Sequence, residues 1–328
     1  MKIADSIPKI DGVLARTDLQ ASARENAVLW RFPPERLEAE RGATPWWLWW
    51  NILSIDAPAV AVVWAALFAH ASGIRLPVAE AAALALSVWI IYTSDRLLDG
   101  WTAGYRAALQ ERHLFCERHR FVLAGLVVAA SALVLWLMAD GALAAETVAG
   151  VKLGVILMLY MAGIHAGRGR IARELPKEIS VGFLFALGTT LPVWSRRVGF
   201  AWHEGLVWGL FGLLCSLNCL SIECWENHRR ENHGQRAGWK QPPHPFVRWA
   251  APRINRIAVV LAAVALLVAS LARAANEASQ PALFAVVAGV LLILLLNCVR
   301  MKLSSAALRV LADAALLVPA LAALLIRG

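Results

Sequence analysis

From residue 46 onward the chain alternates between long apolar runs and short polar gaps. Each run holds about twenty apolar residues, enough for one helix to cross a bilayer. The runs cover 46–72, 76–94, 121–139, 144–166, 179–194, 205–224, 257–275, 281–299 and 304–326. They predict an all-α, polytopic membrane protein of nine transmembrane helices around a central cavity. Residues 46–328 form this domain; residues 1–45 form a tail of mixed charge, broken at Pro33-Pro34, and predicted to be cytoplasmic and partly helical.

The polar positions are distributed as unevenly as the apolar ones. Asp95 and Asp99 close the second run, four residues apart, so they share one face of a continuing helix. Carboxylates at a helix C-terminus meet the negative end of its macrodipole and call for a cation to offset the cost. Glu223, Glu226, Asn227 and Glu231 close the sixth run in the same way.

Lysine and arginine set the expected orientation. With the N-terminus inside, 26 of them fall on inner segments and five (Arg75, Arg196, Arg197, Arg273 and Arg327) on outer ones. Both acidic clusters then open on the cytoplasmic side, as expected for a bacterial inner-membrane protein. Each is followed by a long inner loop, 95–120 or 225–256, rich in arginine and histidine. The two loops are placed to cap one cavity.

Composition agrees with the pattern. The chain of 328 residues is 59% hydrophobic and 17% charged, more apolar than a soluble domain. Its net charge of +9 is spread over alternate loops as a topology signal, so no nucleic-acid partner is expected. Cys116, Cys215, Cys219, Cys224 and Cys298 show no zinc spacing and act as small hydrophobes. Trp46, Trp47, Trp49 and Trp50 crowd the start of the first run as an interfacial anchor, and membrane lipids are the surrounding partner.

Two acidic clusters on one membrane face, ringed by arginines, suit a phosphorylated ligand held through divalent cations. Magnesium takes a few carboxylates and leaves its other positions to water and phosphate oxygens, while arginine forks hold the remaining oxygens. The plainer reading of Asp95 is a helix-end ion pair with Arg96 or another loop arginine. Within the spans, Asn51, Asp56, Lys152, His165, Asn218 and Asp313 are polar groups that must face the bundle interior or a wet cavity. Asn51, Asp56 and Asn218 lie towards the inner half and are placed to line the same pocket. Lys152 lies towards the outer half, with Glu146 or Glu80 as its expected partner. His165 reads as interfacial.

These residues resemble the UbiA superfamily of intramembrane prenyltransferases. That family carries an NxxxDxxxD motif after its second helix and DxxxDxxxD after its sixth. Here the first stands as Asp95-xxx-Asp99 with Ile91 in the asparagine position; the second is degenerate, Glu223-xxx-Asn227-xxx-Glu231, with Cys219 where an aspartate begins the alignment. The stretch Arg173-Glu-Leu-Pro-Lys-Glu-Ile-Ser-Val-Gly182 is similar to the family's basic segment before its fifth helix.

The resemblance implies transfer of a prenyl group from a prenyl diphosphate to a lipophilic acceptor, commonly an aromatic ring. It implies Mg2+ as cofactor, with Asp95, Asp99, Glu223 and Glu226 as metal ligands and Asp95, Asp99, Glu223 and Asn227 as catalytic residues. Asn51, Arg170, Arg173, Lys177, Asn218, Arg229 and Arg230 would bind substrate. Trp225, Tyr92 and Trp89 are candidates for aromatic walls around an allylic cation, with core packing as the plainer role. A lipid-binding scaffold or a transporter on the same frame is the competing expectation. A transporter favours broken spans and midplane charges, whereas the charges here gather at helix ends.

Overall fold

The computed structural model describes residues 44–102, 111–166, 176–196, 202–232, 244–274 and 278–327. The chain divides into two units, Met1–Trp47 and Leu48–Gly328. The first is described only over 44–47, so the expected character of residues 1–43 lies outside the described residues.

The described part of the second unit is all-helical. In chain order the helices are α1 (Trp49–Ile52), α2 (Asp56–Ala71), α3 (Val78–Thr102), α4 (Glu111–Arg118), α5 (Arg120–Ala139) and α6 (Thr147–Ala166). They continue with α7 (Lys177–Trp194), α8 (Trp202–Asn232), α9 (Pro245–Ala250), α10 (Ile254–Ala274), α11 (Gln280–Val299) and α12 (Ser305–Arg327).

Seven of these helices are long and apolar enough to cross a membrane: those carrying Val78–Leu98, Arg120–Ala139, Thr147–Ile164, Trp202–Arg229, Pro245–Ala274, Gln280–Lys302 and Ser305–Ile326. The architecture is that of a multi-pass membrane protein. Two of the nine expected spans stand apart. Helix α7 occupies the fifth, but its 18 residues begin with Lys177 and Glu178 and it is not among the seven. The first, 46–72, is not one straight helix: Trp46–Ile52 and Asp56–Ala71 meet at a bend of 78°.

The bend has a local cause. Ser54 adopts φ 58°, the left-handed region that costs a non-glycine residue about 1 kcal/mol or more. Asp56 restarts the helix beyond it, its carboxylate accepting from the Ala57 N–H at 2.9 Å and facing the positive end of the α2 dipole. The 16 residues of α2 rise roughly 24 Å, short of a typical hydrocarbon core of about 30 Å. The segment before the bend exposes Trp49 and Trp50, as an interfacial helix would. At the far end Gly73, at φ +66°, closes α2 as a left-handed cap, and the Ile74 N–H returns to the Ala69 carbonyl at 2.8 Å.

Helix α8 is the central element: 61% of its apolar window is buried, against 6% for each of the peripheral helices α5 and α6. Phe211 stacks on Trp64 of α2 at 4.3 Å between ring centroids, and the Trp64 indole N–H donates to the Leu316 carbonyl of α12 at 3.0 Å. Helices α7 and α8 approach closely at Gly182, where an added Cβ would lie 2.5 Å from the Ser216 nitrogen and 2.8 Å from its Cα. Only glycine fits there.

Candidate functional site

Helix α8 does not stop at the expected residue 224 but runs to Asn232, and α3 runs to Thr102. The acidic residues that sequence placed at span ends are therefore carried on continuous helices. Around them, at the end of α3 that bears Asp95, the bundle collects a network of buried charges.

The network begins at the bend. Asn51 and Asp56 are both buried, and the Asn51 amide donates to the Asp56 carboxylate at 2.5 Å. The end of α1 leaves carbonyls without helical partners, and the buried Arg96 guanidinium fills that need. It donates to the Asn51 carbonyl at 2.8 Å and the Ile52 carbonyl at 3.2 Å. Arg96 is thus turned into the bend, and the expected Asp95–Arg96 helix-end pair is not what α3 makes. Asp95 instead lies 3.6 Å from the Lys177 ammonium at the start of α7.

Asn218 of α8 donates to Asp313 of α12 at 3.0 Å, and Asp313 in turn reaches Asp56. Four residues earlier on α12, Arg309 clasps Glu226 through two nitrogens, Nε at 2.6 Å and Nη2 closer still. Both partners are buried. Arg112, on the short helix α4, faces Arg309, Arg96, Glu226 and Asp56. Burial and the like charges of Arg309 and Arg96 pull it down to about 10, so it remains cationic at neutral pH. Phe115 packs edge-on against Trp49 at 5.8 Å, and Cys116 is buried. Helix α4, part of the 95–120 loop, is in this way folded onto the bundle. Burial also raises the Cys116 thiol, against the pull of Arg96 and Arg112.

Three carboxylates (Asp56, Glu226, Asp313) thus meet three guanidiniums (Arg96, Arg112, Arg309). The guanidiniums offset the carboxylates, which is the condition for burying so many charged groups.

The expected site residues divide into groups. Asn51 and Asn218 lie in the network as placed by sequence. Glu226 lies there too, but as the ion-pair partner of Arg309. Asn227 donates to Glu223 at 3.0 Å one helical turn away. Arg229 donates to the carbonyls of Arg300 (2.9 Å) and Leu303, fastening the turn between α11 and α12. The Asp99 and Arg230 side chains and the whole of Arg170 and Arg173 lie outside the described residues. Among the described residues no three His, Cys, Asp or Glu side chains come together as metal ligands; the expected magnesium set, Asp95, Asp99, Glu223 and Glu226, includes Asp99, whose side chain lies outside those residues.

Of the aromatic candidates, Trp225 is buried and donates to Asn297 at 2.7 Å, which fixes it as a core residue. Trp89 donates to the Leu53 carbonyl at the bend, at 3.0 Å.

Sequence reading missed Arg96, Arg309 and Asp313 as members of one site. Sequence marks Asp313 only as one polar residue within a span and does not single out Arg309. Their spacing of four was the available signal, since it puts both on one face of α12.

The chain matches no protein-family model, no curated protein and no solved structure.

Proposed function

We propose that the chain is a UbiA-like intramembrane protein that receives a prenyl diphosphate at the cytoplasmic end of a nine-span bundle, in a bacterial inner membrane, and transfers its prenyl group to a lipophilic acceptor. One observation carries the reading: the first acidic motif and the basic stretch before the fifth helix meet, through Asp95 and Lys177 at 3.6 Å. The ammonium is 44% exposed and so is accessible to an incoming anion. One carboxylate oxygen of the neighbouring Glu178 is buried without a hydrogen-bond partner.

In this reading Lys177 binds the diphosphate, together with Arg170 and Arg173 from the same stretch. The allylic C–O bond breaks with its electron pair passing to the diphosphate, and the prenyl carbon bonds to the acceptor, which loses a proton. Cations already in place stabilise the charge growing on the leaving group. Glu226 is held by Arg309 and Glu223 accepts from Asn227, which leaves Asp95 and Asp99 as the residues of this motif that would hold Mg2+ beside the diphosphate, where it would add positive charge to that of the chain's own cations.

The closed Glu226–Arg309 pair favours one second reading, a scaffold that binds the lipid diphosphate without turnover. Membranes containing the protein, supplied with prenyl diphosphate labelled in the prenyl chain, separate the two. Label appearing in a lipophilic product with release of diphosphate supports transfer. Saturable binding that Lys177→Ala weakens, without release, supports the scaffold. Neither binding nor release removes both.

A further inference from the structure

At the other end of α3, Glu80 and Glu146 share a single guanidinium. Glu80 lies in the first turn of α3, fifteen residues and roughly 22 Å of helix from Asp95. Glu146 precedes α6 in the turn after α5. One nitrogen of Arg196, just beyond α7, touches both: Nη2 is 3.1 Å from Glu146 Oε1 and closer to Glu80 Oε1. Ser195 adds its hydroxyl to Glu146 at 3.5 Å, and Arg196 also donates to the Pro192 carbonyl at 3.2 Å.

The carboxylates are only 4% and 6% exposed, and the second oxygen of each, Oε2, is buried with no hydrogen-bond partner. Of the other charged groups nearest in sequence, Arg75, Asp140 and Lys152 are exposed, and Arg197 lies outside the described residues. Lys152, the partner expected for Glu146 or Glu80, is replaced in that role by Arg196. Among the described residues two buried carboxylates meet one cation, which leaves an excess negative charge that a buried site does not hold without compensation.

We propose that Glu80, Glu146 and Arg196 form a one-proton site, in which the two carboxylates hold a single proton between them and Arg196 balances the remaining charge. Each Oε2 is buried without a partner, and the proton sits on one of them. Two carboxylates and a hydroxyl are too few oxygens to cage a metal ion, which takes six or more when it is calcium. Burial independently pushes Glu146 above its ordinary 4.5, against its backbone and Ser195 hydrogen bonds, and lowers Arg196.

The sign follows from linkage. A carboxyl whose folded value is raised adds stability that is fully present below the unfolded value and is lost as pH rises through the folded one. Thermal unfolding of the full chain in lipid nanodiscs, followed from about pH 5 to about pH 8, tests this. The difference in Tm between wild type and Glu146→Gln should fall steadily as pH rises, with the variant equal to or above wild type at the alkaline end. Glu80→Gln should behave alike and serves if the first variant does not fold. Infrared spectra should show a protonated-carboxyl C=O band in the wild type at neutral pH that either variant lacks. Tm curves running parallel at every pH, or no such band, overturn the proposal. A wild-type advantage at alkaline pH that depends on added sodium or calcium also overturns it, by assigning the site to a metal cation.

Discussion

The two ends of helix α3 solve the same problem in different ways. At the Asp95 end, three carboxylates meet three guanidiniums, and Asn51, Asn218 and main-chain carbonyls add hydrogen bonds, with Asn218 Oδ1 left buried without a partner. At the Glu80 end, two buried carboxylates lean on one guanidinium and leave two oxygens without partners. A network whose charges are paired is held by geometry. An unbalanced one must take up a charge. The contrast teaches that burial alone does not mark a responsive site; burial with a charge deficit does.

The comparison can be broken most forcefully at the balanced end. Arg309→Met removes the cation that clasps Glu226 and should destabilise the fold by about 3–5 kcal/mol, the cost of breaking a buried ion pair by removing one partner. Chemical unfolding in detergent micelles measures it. The double variant Arg309→Met/Glu226→Leu should recover most of the loss, because the charge and its partner then leave together. If the double variant is no better than the single one, Arg309 acts through something other than Glu226.

Arg96→Leu should cost roughly 2–3 kcal/mol, the worth of charge-assisted hydrogen bonds to the Asn51 and Ile52 carbonyls. The loss should come with faster proteolysis near residues 51–55, since the bend is what those bonds fasten. Gly182→Ala probes packing with no change of charge. An added Cβ there must push α7 away from Ser216, at about 1–3 kcal/mol by the usual cost of overpacking, seen as a lower Tm with the same pH dependence as wild type. A changed pH dependence would connect the α7–α8 contact to the Glu146 site through Arg196.

The smallest stability effect is expected at Lys177. Its pair with Asp95 is substantially exposed, so Lys177→Ala should cost about 0–1 kcal/mol of stability. The same change should weaken prenyl diphosphate binding by about 10- to 150-fold, equivalent to 1.5–3 kcal/mol for one charge-assisted bond. Calorimetric titration with a prenyl diphosphate reads the second number directly. Unchanged affinity would detach Lys177 from the ligand and leave the two ends of α3 differing only in stability.

Much of the architecture was legible in the apolar runs. Seven of the nine appear as helices of spanning length, because about twenty apolar residues have few other ways to satisfy their backbone in a bilayer. Where the reading departed from the structure, the cause was local. Residues 46–72 read as one run because Leu53, Ser54 and Ile55 do not interrupt apolarity, and nothing in the composition announces a left-handed Ser54. The sixth run was ended at residue 224 because hydropathy stops there, while the helix does not: hydrogen bonding carries α8 on to Asn232.

The sequence by itself determined that the chain is a helical membrane protein and that its charged residues gather at helix ends. Both follow from the composition of segments, which is a property of neighbours along the chain. It also placed Asn51, Asp56 and Asn218 together, since each sits at a similar depth in its run. Which charge meets which was decided only by the tertiary structure. Sequence points to Arg96 or another loop arginine for Asp95 and to Lys152 for Glu146 or Glu80, whereas the fold supplies Lys177 and Arg196. Long side chains reach several partners from one backbone position, so pairing depends on helix rotation and on the close approach of α7 and α8 at Gly182. Those are set by packing between residues far apart in the chain, and no reading of one segment at a time contains them.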